Sequence, residues 1–209
     1  MIDPARELSQ ALAAISCEFR ENELAYLALT TKVELPFRDR IAFRLHQDYA
    51  PAGCIVAREW NRIDLAVLAS DGSPLCLVEL KAMYTFDAMG NLRFFTDATT
   101  ADEQKARQKA GEATSVFSLL LVTHLDRLVP EAYLKPVKYS GGINRALLRW
   151  GDAHAVRAKA SAEIEGGLAG RCVVARGHVE GGAAFGIGVS VLYWLVRNEE
   201  RDTKLSIGG

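Results

Sequence analysis

Two carboxylates and a lysine stand at one end of a predicted β-hairpin. Asp64 lies in the apolar stretch before Ser70-Asp71-Gly72-Ser73, and Glu79 and Lys81 lie in the apolar stretch after it. An Asp-Gly pair between two strand-like segments favours a tight type I′ turn. The sequence therefore predicts a charged cluster at the open end of two paired strands.

The predicted turn also fixes the pairing of the two strands. With Asp71 and Gly72 at its centre, or with a symmetric loop of residues 70–73, the expected pairs are Leu68 with Leu75, Ala66 with Leu77, and Asp64 with Glu79. Directly opposed side chains have Cβ atoms about 4.5–5.5 Å apart, and like charges at that distance repel. Side chains alternate along a strand, so Lys81 shares the face of Glu79. A positive charge is therefore expected between the carboxylates.

This cluster has the composition needed for phosphodiester hydrolysis. Mg²⁺ takes oxygen ligands and usually keeps several waters, so Asp64, Glu79 and a phosphate oxygen would suit it. The ion would activate water, and Lys81 would orient the nucleophile or offset developing negative charge. The alternative is a surface hairpin with an ordinary ion pair, which contributes only about 0–1 kcal/mol. Against that alternative, Leu75 to Leu80 is apolar on both faces, as expected of a central strand.

The spacing of Asp64, fourteen intervening residues and Glu79-Leu80-Lys81 resembles that of the PD-(D/E)XK nuclease superfamily. The resemblance implies a restriction-endonuclease-like fold in which Asp64 and Glu79 bind Mg²⁺ or Mn²⁺ and Lys81 assists catalysis. Ile63 stands where the family's name has proline, a departure that is frequent among relatives and leaves the metal ligands in place.

The resemblance covers residues 34 to about 125 in the order of their elements: a helix, a strand meander, a polar helix over Ala101–Thr114 and a buried strand over Val116–Thr123. Members commonly add an acid from the first of these helices, and Glu34 is the candidate here. Pro36 suits a first helical turn. Apolar residues then repeat on one face at Phe37, Ile41, Leu45 and Tyr49. Alternatively, Glu34 simply complements the helix dipole.

Several basic or amide side chains are candidates for substrate binding. Arg62 precedes the first motif strand and could hold a phosphate through its guanidinium group. The polar helix carries Gln104, Lys105 and Lys109, and the two lysines lie one turn apart, so they could follow a nucleic-acid backbone together. Solvation of an exposed surface explains these residues equally well.

The remaining sequence predicts one α/β domain over residues 1–209, with its core at about 30–130 and a C-terminal extension at about 140–200. A mixed central sheet would be flanked by helices, including extra helices over Pro4–Leu29 and Arg145–Leu168. A second hairpin, Cys172–Val179 with Ala184–Val196, would turn at Gly181-Gly182. Tyr84–Thr100 is predicted to be a long loop with a turn at Gly90-Asn91. Val189–Val196 either lengthens the sheet or meets another subunit in a homo-oligomer.

Composition limits the function classes. The formal net charge of the 209 residues is −1, so a nucleic acid would need a local basic patch, metal ions or a partner. No stretch is long and apolar enough to cross a membrane, and no secretory signal is evident, so the cytoplasm is expected. The scattered cysteines and histidines do not support a zinc site or a disulfide framework.

Two functions from different classes fit these observations. The first is a metal-dependent nuclease that cuts nucleic acid, with DNA the expected substrate, as an endonuclease or an exonuclease. The second is a catalytically inactive nuclease-like module for nucleic-acid binding or subunit assembly, since a family scaffold can be reused. The intact triad of Asp64, Glu79 and Lys81 favours the enzyme.

Overall fold

Six strands form one mixed sheet in the order β1-β2-β3-β4-β6-β5. The computed structural model describes residues 3–111 and 113–198, without the side chains of residues 91, 94–96 and 98. β3 and β4 are parallel, and all other neighbouring strands are antiparallel. The strands are β1 (Ile55–Trp60), β2 (Ile63–Leu68), β3 (Pro74–Tyr84), β4 (Ser115–Leu125), β5 (Cys172–Ala184) and β6 (Ile187–Arg197).

Helices cover both faces of this sheet. They are α1 (Pro4–Ala14), α2 (Glu23–Thr30), α3 (Glu34–Tyr49), α4 (Thr85–Arg107), α5 (Ser140–Trp150) and α6 (Ala153–Gly167). Among the residues described, none of these helices combines the length and apolarity needed to cross a lipid bilayer. The prediction of an α/β fold with a mixed, helix-flanked sheet is therefore confirmed at that level.

The alternation of side chains along β3 divides the interior into two layers. Val78 and Leu80 pack with α3 and the N-terminal helices, whereas Leu77 packs with Ala106 of α4. α4 connects β3 to the parallel strand β4, because two parallel strands need a crossover longer than a hairpin turn. Glu79 and Lys81 have the same parity as Leu77, so they point towards the α4 layer.

Helix α3 and the central strands agree with the sequence predictions. α3 begins at Glu34 and buries the predicted stripe of Phe37, Ile41, Leu45 and Tyr49. β3 lies between β2 and β4, and successive residues of its apolar run are buried, which shows that both of its faces are covered. The strand predicted over Val116–Thr123 is β4, which is longer by one residue at its start and two at its end.

The turn between β2 and β3 differs from both predicted forms. The Ala69 amide donates to the Ser73 carbonyl and the Gly72 amide donates to the Ala69 carbonyl, which leaves a three-residue loop with Gly72 at φ +83°. Leu68 consequently faces Pro74 and not Leu75. A bulge after Val67 restores the expected register, so Ala66 does face Leu77.

The predicted loop over Tyr84–Thr100 is wrong, because α4 begins at Thr85 and runs through it. The Asp87 carboxylate accepts the Tyr84 amide at 2.9 Å and caps this helix. Glycine inside a helix costs about 1 kcal/mol relative to alanine. Packing of Ala88 and Ala106 against the sheet outweighs that cost, so Gly90-Asn91 does not form a turn.

The two terminal extensions also contain more breaks than predicted. The N-terminal segment forms α1 and α2, with an intervening bend. Gly151, at φ +99°, separates α5 from α6 within the predicted single helix Arg145–Leu168. The C-terminal hairpin turns at Phe185-Gly186, whereas Gly182 lies inside β5, where a Cβ would collide with Asn22. β6 extends the sheet through its pairing with β4.

Buried His124 gives the fold a defined sensitivity to acid. It is 6% exposed, and burial, together with Arg157 and His154, lowers its pKa to about 4, against the influence of Asp126. Between pH 6.5 and 4 the unfolded chain binds a proton that the folded protein does not, so stability falls as the pH falls. In His124→Leu, we expect the decrease in unfolding free energy on acidification to be smaller by up to about 3 kcal/mol. Urea unfolding at pH 7.5 and 4.5 measures it.

The matched control is His46→Leu, on the exposed side of α3. It should leave the difference in unfolding free energy between the two pH values unchanged. An equal difference in the wild-type and His124→Leu proteins would contradict the role of His124.

Candidate active site

Asp64 and Glu79 meet where the ladder between β2 and β3 opens. The last paired residues are Leu65 and Val78, and Asp64 comes just before them. Its Oδ2 accepts the backbone amide of Leu80 at 2.7 Å, so the side chain continues the hydrogen bonding where the backbone ladder stops. The Asp64 carboxylate thereby lies close enough to Glu79 for its charge to raise the pKa of Glu79. The structure thus brings Asp64 and Glu79 together at the end of the ladder.

Glu79 is the buried member of this pair. It is only 4% exposed, and this burial raises its pKa, as does the charge of Asp64. Lys105 of α4, with its Nζ 3.4 Å from Glu79 Oε1, lowers the pKa of Glu79 through its positive charge. Burial and the neighbouring Asp64 together outweigh the favourable charge of Lys105 on Glu79.

Lys81 shares the face of Glu79 but forms its ion pair with Asp102. Its Nζ lies 2.6 Å from Asp102 Oδ2, and both side chains are partly buried. Burial disfavours the charged lysine, but the hydrogen bond and charge of Asp102, with Glu34 and Asp64 nearby, outweigh it and raise the pKa of Lys81. Lys81 is therefore held as a cation beside the carboxylates.

Glu34 is brought to the same site by the first turn of α3. Burial raises its pKa, and so does the charge of Asp64, whereas Lys81 and Lys32 lower it. These mutual influences place Glu34 in the electrostatic neighbourhood of Asp64 and Lys81. Its predicted role as a third acid is compatible with this position.

Two lysines, one in α4 and one just beyond its end, lie beside the acidic pair and the neighbouring turn. Lys105 contacts Glu79. α4 ends at Arg107 and does not reach Thr114 as predicted, so Lys109 lies beyond its end, where it donates to the carbonyl of Asn61. Asn61 and Arg62, with φ of +50° and +67°, form the tight turn between β1 and β2. Lys105 thus lies beside Glu79, and Lys109 lies at the turn that contains Arg62; these three residues are called the basic border.

One sequence candidate lies apart from this arrangement, and one site residue was missed. Gln104 is exposed, whereas its neighbours Asp102 and Lys105 contact β3. Asp102 was not predicted, although it precedes Lys105 by three residues and therefore shares its helix face. The need of Lys81 for a counter-charge was the signal that could have identified Asp102.

The donor chemistry of this site suits a hard divalent cation. Asp64 and Glu79 present neighbouring carboxylates whose charges oppose each other, with Glu34 also close enough to feel the charge of Asp64. Within residues 3–111 and 113–198, however, no three His, Cys, Asp or Glu side chains are grouped closely enough to form a complete cation site. The residues therefore fit two protein ligands, with the remaining positions left for water or substrate.

Comparisons of the chain with protein-family models, with curated proteins and with solved structures found no significant match.

The repulsion within the acidic pair predicts that Asp64→Asn stabilises the protein in the absence of metal. The amide oxygen can still accept from the Leu80 amide, while the charge beside Glu79 disappears. We expect the free energy of unfolding to rise by on the order of 1 kcal/mol at pH 8 in EDTA. Chemical denaturation measures this change.

Asp102→Asn is the matched control, because it removes an acid whose partner is the cation Lys81. It should leave stability unchanged or lower it. A loss of stability in Asp64→Asn as large as that in Asp102→Asn would argue against repulsion between Asp64 and Glu79.

Proposed function

We propose that this protein is a metal-dependent phosphodiesterase that hydrolyses nucleic acid, with DNA as the expected substrate. The observation that carries the proposal is the buried carboxyl group of Glu79 beside Asp64, which is held by the Leu80 amide where β2 and β3 part, with Lys81 on the same face. The order of α3, three antiparallel strands, α4 and parallel β4 supports a restriction-endonuclease-like fold for this site.

Each residue of the cluster has a distinct part in this proposal. Asp64 and Glu79 are the ligands of Mg²⁺ or Mn²⁺, and Glu34 is the candidate for a further, outer contact. The bound cation supplies charge stabilisation and lowers the pKa of water. Lys81 orients the attacking water or offsets the charge that develops on the phosphate. Asp102 positions the Lys81 ammonium group through their ion pair.

The basic border would hold the substrate next to this cluster. Arg62 and Lys109 lie at the β1–β2 turn, and Lys105 lies beside Glu79. Their charges would pair with successive phosphates, which a chain of net charge −1 can bind only through a local patch. Hydrolysis then adds water across one P–O bond, leaving a phosphate on one fragment and a hydroxyl on the other.

A second candidate function is a nucleic-acid-binding module without catalysis. The ion pair between Lys81 and Asp102 favours it, since a lysine engaged in this way is less available to a nucleophile. Binding would then survive loss of the triad, and no substrate would be cut.

A cleavage assay separates the two functions. Purified protein is incubated with single-stranded and duplex DNA in Mg²⁺, Mn²⁺ or EDTA. We expect cutting only with metal, and a loss of at least about 100-fold in Asp64→Ala and Lys81→Ala, because each removes a group that stabilises the transition state.

Glu163→Ala, which removes an exposed acid of α6, is the control and should cut like the wild type. Circular dichroism confirms that all variants are folded. Cutting that persists in folded Asp64→Ala would contradict this active site, and a wild-type protein that binds but never cuts would favour the second function.

A further inference from the structure

A strongly basic segment lies outside the site described above. Residues 132–151 contain four cations, Lys135, Lys138, Arg145 and Arg149, and no acid, in a chain whose formal net charge is −1. This segment includes α5 and the turn that leads into it. Among the ion pairs of the described residues, none involves any of these four cations. Their charge is therefore available to an anionic partner.

Two exposed aromatic rings mark the ends of α5, and each has a cation over it. At the start, Tyr139 is 43% exposed, and Lys138 Nζ lies 5.3 Å from the centre of its ring. At the end, Trp150 is 37% exposed, with Arg149 Cζ at 4.9 Å and Lys159 Nζ at 4.2 Å. Along the helix these rings are about 16 Å apart at 1.5 Å per residue.

Cations interleaved with exposed aromatic rings match the chemistry of a single-stranded nucleic acid. The backbone of such a strand is anionic, and its unpaired bases offer faces that stack on aromatic side chains. Duplex DNA presents the same phosphates but keeps its bases stacked on one another. An acidic peptide offers charge but no stacking partner for Tyr139 and Trp150.

The start of this surface lies near the candidate active site. The ring of Tyr139 packs edge-on against Tyr84 at 5.4 Å, and Tyr84 is the last residue of β3. Lys81 lies three residues earlier on that strand, about 10 Å along the backbone at 3.3 Å per residue, with its side chain on the opposite face of the sheet from the Tyr84 ring. Phe86 of α4 stacks on Tyr84 and packs so near α5 that a Cβ added at Gly142 would lie 3.1 Å from its ring, so α5 is held against the end of the strand that carries the site.

We propose that the exposed face of α5, from Lys138 and Tyr139 to Arg149 and Trp150, binds a single strand of nucleic acid and guides it to the site at β3. This inference rests on the proposed function, because it assigns the strand state of the same substrate. The cations hold the phosphates, and the two rings stack with bases. The strand thereby approaches the acidic pair from the carboxyl end of β3.

Binding in EDTA tests this inference independently of cleavage. Fluorescence anisotropy of a labelled twelve-nucleotide thymidine strand is measured with the wild-type protein, Tyr139→Ala, Trp150→Ala and the double variant Arg145→Ala/Arg149→Ala. Each aromatic substitution should weaken binding by about 5- to 100-fold. The arginine substitutions should reduce the slope of log K against log salt concentration by about 0.7 for each lost phosphate contact.

Matched controls separate these effects from general changes in the protein. Tyr139→Phe keeps the ring and should bind like the wild type. Tyr26→Ala removes an exposed tyrosine of α2, and Arg6→Ala/Arg127→Ala removes two exposed arginines elsewhere. These control variants should also retain binding.

Two further probes decide the class of ligand. A duplex of the same length and a polyglutamate peptide should both bind more weakly than the single strand. Equal or tighter binding of either probe, or unchanged binding of the single strand by Tyr139→Ala and Trp150→Ala, would overturn the inference. Failure of the nuclease proposal would be seen separately, as binding that depends on α5 without metal-dependent cutting.

Discussion

The structure around the candidate site depends on two like-charged groups held against each other. Asp64 replaces the missing backbone partner of Leu80 at the point where β2 and β3 separate, which fixes its carboxylate beside that of Glu79. Because Glu79 is buried, its side chain cannot rotate out into the solvent to relieve this repulsion. An arrangement that raises the pKa of Glu79 and leaves negative charge unbalanced serves no packing purpose, but it suits the capture of a cation.

Helix α4 supplies a positive charge that partly offsets the repulsion between Asp64 and Glu79. Lys105 contacts Glu79, and Asp102 of the same helix forms an ion pair with Lys81. Ala106 packs against residues of β2, β3 and β4, and this contact sets which face of α4 is turned towards the sheet. The same helix connects two parallel strands, so the fold and the electrostatics of the site depend on one element. The layer on the opposite face, with α3, brings in Glu34.

Much of the site could be predicted from sequence, because strand alternation and the pairing of Ala66 with Leu77 follow from short-range rules. The loop itself was predicted wrongly: its three residues shift the register by one, and the bulge after Val67 shifts it back. The prediction for Tyr84–Thr100 failed because Gly90-Asn91 indicates a turn locally, whereas tertiary packing of the helix overrides that preference. Asp102 was missed for a related reason, since its partner Lys81 lies on another element.

The central claim is that Asp64 and Glu79 hold a divalent cation, and calorimetric titration of Mn²⁺ into the protein without nucleic acid tests it most directly. The wild type should bind Mn²⁺ saturably, Asp64→Ala and Glu79→Gln should lose at least about tenfold in affinity, and Glu163→Ala should bind like the wild type. Equal Mn²⁺ affinity in the wild type and in both site variants would contradict the claim.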